Sequence, residues 1–136
     1  MLDQNKIQLS LCIPTYNRKN FLRKTLDSIC LQDIFQDTYQ VEVVISDNNS
    51  TDGTKELCDE YVVKHGRKIK YYHNSESIPP DQNHIMALRK ANGLLLKLTN
   101  DSLYHRPGSL IKILKLIESS IQSRRTLFFF EWKKFF

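Results

Sequence analysis

Apolar and polar positions along the 136-residue chain fall into short apolar runs that alternate with helical stripes. Residues 9–13 (Leu-Ser-Leu-Cys-Ile) predict a buried strand, ended by Pro14 because proline cannot donate to a sheet ladder. Asn20 is placed to cap a helix with Leu22, Leu26 and Ile29 on one face. The β-branched run 41–46 (Val-Glu-Val-Val-Ile-Ser) predicts a second strand, and residues 48–53 are turn formers. Ser50, Thr51 or Asp52 then caps a helix bearing Leu57, Cys58, Tyr61 and Val62. A short strand at 69–72 leads to a two-proline loop at 74–80 and a helix capped by Asp81 that stops at Asn92-Gly93. A fourth strand at 94–98 follows. The last helix has Pro107 in its first turn and Leu110, Leu114, Ile117 and Ile121 on its apolar face. Strand then helix, four times over, predicts an α/β fold: a parallel sheet with helices on both faces.

Ligands of such sheets bind beyond the carboxyl ends of the strands. Those ends are Pro14-Thr15-Tyr16-Asn17-Arg18, Ser46-Asp47-Asn48-Asn49-Ser50, His73-Asn74-Ser75 and Thr99-Asn100-Asp101-Ser102. They are polar and carry two aspartates. With four glycines in all, the chain has neither a P-loop nor a dinucleotide fingerprint. If a phosphate binds here, something other than a glycine cradle must neutralise it, and a divalent metal held by an aspartate is the usual substitute. Asp101 can be that aspartate, or Asn-Asp-Ser can simply form the turn into the next segment. Asp47 can accept from a base or a ribose hydroxyl, or it can close an Asx-turn. Tyr16 can stack on a base or serve in packing. His84, beside Asn83, can face the cleft or sit in solvent. His65, His73, His84 and His105 show no metal-ligand spacing, and no GxSxG elbow supports a serine nucleophile.

Composition narrows the classes. The apolar runs at 94–96 and 127–130 are far shorter than the roughly 20 residues of a membrane-spanning helix. The first eight residues lack a signal-peptide layout, so a cytoplasmic location is expected. Cys12, Cys30 and Cys58 form no CxxC pair and read as buried small hydrophobes. The net charge is +5, but residues 124–136 hold +3 of it, leaving +2 on residues 1–123. No basic stripe crosses the main body, so nucleic acid is not an expected partner.

Residues 11–18 (Leu-Cys-Ile-Pro-Thr-Tyr-Asn-Arg), 45–54 (Ile-Ser-Asp-Asn-Asn-Ser-Thr-Asp-Gly-Thr) and 96–102 (Leu-Lys-Leu-Thr-Asn-Asp-Ser) occur in an informative order and spacing. Together with Pro-Pro-Asp-Gln-Asn at 79–83, they resemble the nucleotide-binding half of family 2 glycosyltransferases, most nearly the abequosyltransferase-like and bacterial capsule or O-antigen sugar transferases. The resemblance implies a GT-A, Rossmann-like parallel sheet, truncated to its N-terminal half. It implies that Pro14, Thr15 and Tyr16 line a nucleotide pocket and that Asp47 and Asn48 contact the base or ribose. Asp101 then takes the DxD position and holds Mn²⁺ or Mg²⁺. Asn100-Asp101-Ser102 keeps one carboxylate of that motif, and Asn48 replaces a frequent second aspartate. The implied donor is a nucleotide sugar and the acceptor a saccharide or lipid-linked saccharide of a cell-surface polysaccharide. The general base belongs to an acceptor half that follows in relatives, so no catalytic base is assigned here.

The expected organisation is a nucleotide-sugar-binding domain over residues 1–123 and an atypical basic, aromatic tail over 124–136. The tail resembles nothing in the family. It reads as a truncation or altered reading frame, with a peripheral anchor at the inner membrane face as its competitor. Its Leu-Phe-Phe-Phe run also invites pairing with another copy. The runner-up function is a nucleotide-binding fragment without transfer activity. A nucleotidyltransferase is disfavoured because Pro14-Thr15-Tyr16-Asn17 is not a glycine-rich phosphate loop.

Overall fold

A computed structural model describes residues 2–123; the tail expectations at 124–136 lie outside the described residues. The elements are β1 (Leu9–Thr15), α1 (Lys19–Cys30), α2 (Asp33–Asp37), β2 (Val41–Asp47), α3 (Thr54–His65), a 3-10 turn (Gly66–Lys68), β3 (Ile69–His73), α4 (Pro80–Arg89), β4 (Leu95–Leu98) and α5 (Ser109–Ser123). The four strands form one parallel sheet in the order β3-β2-β1-β4.

Strand pleat divides the core. Leu9, Leu11 and Ile13 of β1, with Val41, Val43 and Ile45 of β2, bury against Leu22, Leu26 and Ile29 of α1. Phe35 of α2, Leu57 of α3, and Leu110 and Ile117 of α5 complete that layer. The alternate residues, including Cys12 and Val44, are also fully buried, on the face that α4 covers with Ala87. This second face is close-packed and partly polar. Glu42 lies fully buried there, accepting from the Ser10 hydroxyl at 2.6 Å and the Asn92 amide at 2.7 Å. Lys70 Nζ lies 2.8 Å from its other oxygen. Gly93 donates to Ser10 Oγ at 2.7 Å, and a Cβ at position 93 would stand 2.6 Å from that oxygen and 2.7 Å from the Ser10 nitrogen. Only glycine lets the chain pass so close.

Several boundaries differ from expectation. β1 runs through Pro14 to Thr15 rather than stopping at Ile13. In β1 the even positions bond toward β4, as Cys12 does in accepting from Thr99 N, while Thr15 accepts from Asn48 N on the β2 side. Pro14 thus turns its donor-less nitrogen toward β4, whose ladder has already ended at Leu98. Arg18, not Asn20, precedes α1, and its first amide, Lys19 N, is capped across the fold by Asp52 Oδ2 at 3.0 Å. Asp52 Oδ1 also accepts from Thr54 N and Oγ1 at the start of α3. Proline at 80, not Asp81, opens α4, which ends at Arg89. α5 begins at Ser109, after Gly108 in a left-handed turn, so Pro107 lies outside it. Ile121 is half exposed rather than part of the buried stripe. The short helix α2 was not anticipated. Among the described residues, no helix is long and apolar enough to cross a membrane.

Candidate functional site at the carboxyl edge of the sheet

The ends of β1, β2 and β4 open onto a cavity of about 510 Å³. Pro14, Thr15, Tyr16, Asn48 and Asp101 all line it, with Arg18, Asn83, His84 and Asn100 among their neighbours. Five of the six residues singled out from sequence are therefore brought together. Asp47 is the sixth and does not line the cavity. It is fully buried behind it, accepting from Ser50 N at 3.0 Å, Ser50 Oγ at 2.5 Å and the Tyr71 hydroxyl at 2.5 Å, with His73 Nδ1 3.2 Å away. Burial, and then the bond to Asp47, push the Tyr71 hydroxyl far above its ordinary range, so it remains a neutral donor.

Local geometry locks the rim. Asn17 and Asn49 both adopt positive φ, at 49° and 64°, a conformation asparagine tolerates. Asn17 N donates to Ser50 Oγ at 2.8 Å, and Asn17 Oδ1 accepts from Thr51 N at 2.8 Å, so the loops after β1 and β2 are tied together. The Asn48 amide donates to Ile78 O and accepts from Ile78 N, both at 2.8 Å, clamping the loop that enters α4. Asn83, buried on α4, accepts from the Ser46 hydroxyl at 2.8 Å and donates to its carbonyl at 3.0 Å. Tyr16 contrasts with this rigid set: its ring is 53% exposed at the cavity mouth.

Asp101 is the most constrained acid of the site. Its residue is 5% exposed. Thr15 Oγ1 donates to Oδ2 at 2.9 Å, and Arg18 Nε lies 3.0 Å from Oδ1. Thr25 Oγ1 of α1 donates to the Asp101 carbonyl at 2.8 Å, which fixes the turn after β4. Burial raises the Asp101 carboxyl above its ordinary range, and the Thr15 bond and the Arg18 charge partly offset that. Asn100 Oδ1 is occupied by Ser102 N and Oγ, so Asn100 shapes the turn.

The donor set suits a hard divalent cation. Each Asp101 oxygen accepts one bond and keeps a lone pair, and magnesium or manganese takes one or two carboxylates with the remainder from phosphate and water. No group of three or more His, Cys, Asp or Glu side chains able to hold a metal exists among the described residues. A cation at Asp101 therefore depends on ligand oxygens from outside the protein.

Sequence reasoning assigned no role to Arg18, although it lies within the first motif. The available signal was its position: a cation three residues past a strand end is within reach of an acid at the next strand end.

A parallel four-stranded sheet flanked by helices in this order is the fold of GT-A glycosyltransferases. The model of "Glycosyl transferase family 2" matches residues 10–124, and the chain belongs to that family. It is 44% identical over 85 residues to the abequosyltransferase RfbV of Salmonella typhimurium, a match covering 62% of this chain and 25% of RfbV. The crystal structure of S. aureus TarS 1–349 in complex with UDP superposes with a TM-score of 0.74 at 24% identity, over 85% of this chain and 33% of that one. The mannosyltransferase PcManGT from Pyrobaculum calidifontis, in complex with GDP-Man and Mn²⁺, superposes with a TM-score of 0.62 at 28% identity, over 71% of this chain and 28% of that one. The chain thus spans about a quarter of the length of the curated relative named here.

Proposed function

We propose that this chain binds a nucleoside diphosphate sugar in the strand-end cavity, and that the protein transfers the sugar to a saccharide or lipid-linked acceptor during cell-surface polysaccharide synthesis on the cytoplasmic side of the membrane. The observation that carries this reading is the Asp101 carboxylate, held by Thr15 at the wall of a 510 Å³ cavity. That volume lies within the range of ligand sites, about 300–1,000 Å³. The exposed Tyr16 ring offers a stacking face for the base. Pro14 and Asn48 form the walls beside it. Asp47, fully buried behind the cavity, does not reach the base or ribose; it fixes the loop after β2 by accepting from Ser50 N and Oγ. Thr15 orients the Asp101 carboxylate. Asp101 would hold Mn²⁺ or Mg²⁺, which supplies Lewis acidity against the charge that gathers on the leaving diphosphate.

Calorimetry with UDP, GDP, CDP and dTDP, each with Mn²⁺, tests the reading. We expect at least one nucleotide to bind. Asp101→Asn keeps the Thr15 bond and the circular dichroism spectrum, and removes the dependence of binding on metal. A folded chain that binds none of the four removes the basis for the proposal.

A second reading, nucleotide binding without transfer, is favoured by one observation. Asp101 is the only carboxylate among the described residues that line the cavity, so those residues include no second acid to act as base toward an acceptor hydroxyl. Transfer or hydrolysis of a nucleotide sugar by the purified chain, lost in Asp101→Asn, would count against it.

A further inference from the structure

The Asp101 carboxylate faces two claims on a single negative charge. Arg18 already lies 3.0 Å from Oδ1, and the same group is the one able to hold a divalent cation. A buried carboxylate stripped of its partner is strongly disfavoured, so the ion pair has a structural reason to form in the free chain. The two partners differ in freedom, however. The Asp101 side chain is 7% exposed and fixed by Thr15, whereas the Arg18 side chain is 45% exposed. The Arg18 guanidinium also lies 4.7 Å from the centre of the Phe21 ring, a surface along which it can move while remaining packed. A divalent cation arriving alone must share one carboxylate with this arginine or expel it into water. A cation arriving with a diphosphate brings a new anionic partner for the guanidinium, whose planar fork matches phosphate oxygens.

We propose that Arg18 is the resident counter-ion of Asp101 and that a metal-bound diphosphate displaces it, so that cation and diphosphate occupy the cavity together and neither fills it alone. The inference rests on the nucleotide-binding reading above and extends it to the order of assembly. Arg18 acts here as a positioning residue. It keeps the carboxylate paired and aimed while the cavity is empty, and it passes to the phosphates when the cavity fills. In thermodynamic terms the two ligands are positively coupled, and Arg18 carries part of that coupling.

The test uses the full chain, with inorganic pyrophosphate as a probe that is independent of the base. Mn²⁺ is titrated with and without pyrophosphate, free Mn²⁺ is followed by electron paramagnetic resonance, and Mn²⁺–pyrophosphate association in solution is subtracted. Wild-type protein should bind Mn²⁺ weakly alone and more tightly with pyrophosphate. Arg18→Gln should bind Mn²⁺ alone at least about fivefold more tightly than wild type, with a smaller gain from pyrophosphate. Arg18→Lys, which keeps the charge, should behave like wild type toward Mn²⁺ alone. A gain in affinity cannot come from unfolding. If Arg18→Gln does not keep its circular dichroism spectrum, Arg18→Met, which keeps the stem against Phe21, takes its place. Unchanged or weaker Mn²⁺ binding by the folded variant overturns the counter-ion role, whatever the nucleotides do. Conversely, a failed nucleotide screen with this gain still present overturns the proposed function and leaves the counter-ion role standing.

Discussion

At the scale of single residues, buried titratable groups connect this fold to pH. His105 lies buried at the start of the segment leading into α5, where its backbone amide donates to Ser28 Oγ at 3.0 Å. Burial, and then the charge of Lys97, lower its imidazole from 6.5 to about 4. Above pH 6.5 the ring is neutral in both the folded and the unfolded chain. As the pH falls from about 6.5 toward about 4, the unfolded chain takes up a proton that the folded one refuses, so stability is lost across that window. The loss from this one group is at most about 3 kcal/mol. Urea midpoints measured across the window should fall with pH in the wild type and fall less steeply in His105→Leu. Equal slopes would show that the histidine is not buried as described. His105 was legible in the sequence only as a histidine without ligand spacing. Its burial depends on α1 packing 77 residues away in the chain, a contact that local pattern does not encode.

At the scale of elements, the polar face under α4 holds the sheet in register. Ser10, Glu42 and the pair Asn92-Gly93 come from three separate stretches of chain and meet within hydrogen-bond distance. A methyl group at position 93 has no room against the Ser10 backbone, so something must shift. Gly93→Ala is expected to cost about 1–3 kcal/mol of unfolding free energy, as overpacking does, measurable by urea denaturation. An unchanged midpoint would mean that the close approach relaxes freely. The alternation of strand and helix was readable because β-branched runs and 3.6-residue stripes are local signals, and the sheet takes the parallel form they imply. Glu42 was hidden for the opposite reason. Within Val-Glu-Val-Val-Ile-Ser it looks like an outward polar position, and only Ser10, Asn92 and Lys70 explain how a carboxylate lies in the core. Likewise Gly93 reads as a helix stop, while in the fold it is a packing requirement. In the candidate site, the strand ends told where a ligand belongs, and five of six chosen residues share one cavity. The Arg18–Asp101 pair joins positions 83 residues apart and needed the folded chain to be seen.

At the scale of the whole molecule, the three cysteines report on cooperativity. Cys12 in β1, Cys30 at the end of α1 and Cys58 in α3 are free and buried. Burial pushes the Cys12 and Cys30 thiols up to about 12 and the Cys58 thiol higher still, so almost no thiolate exists near neutral pH. A disulfide reagent should therefore label none of them rapidly in the native chain and all three in urea, with native labelling limited by opening of the core. Rapid native labelling of one thiol would place it at the surface. The whole architecture also carries a consequence of the proline that lies within β1, one residue before its end. In register, the hydrogen missing from the Pro14 nitrogen is the one that would have reached the Thr99 carbonyl. With no donor there, the pairing of β1 with β4 goes no further than Cys12 and Leu98, and Asn100 begins a turn. Asp101 thus stands three residues beyond the last β1–β4 pair, past a pyrrolidine nitrogen that offers no further rung.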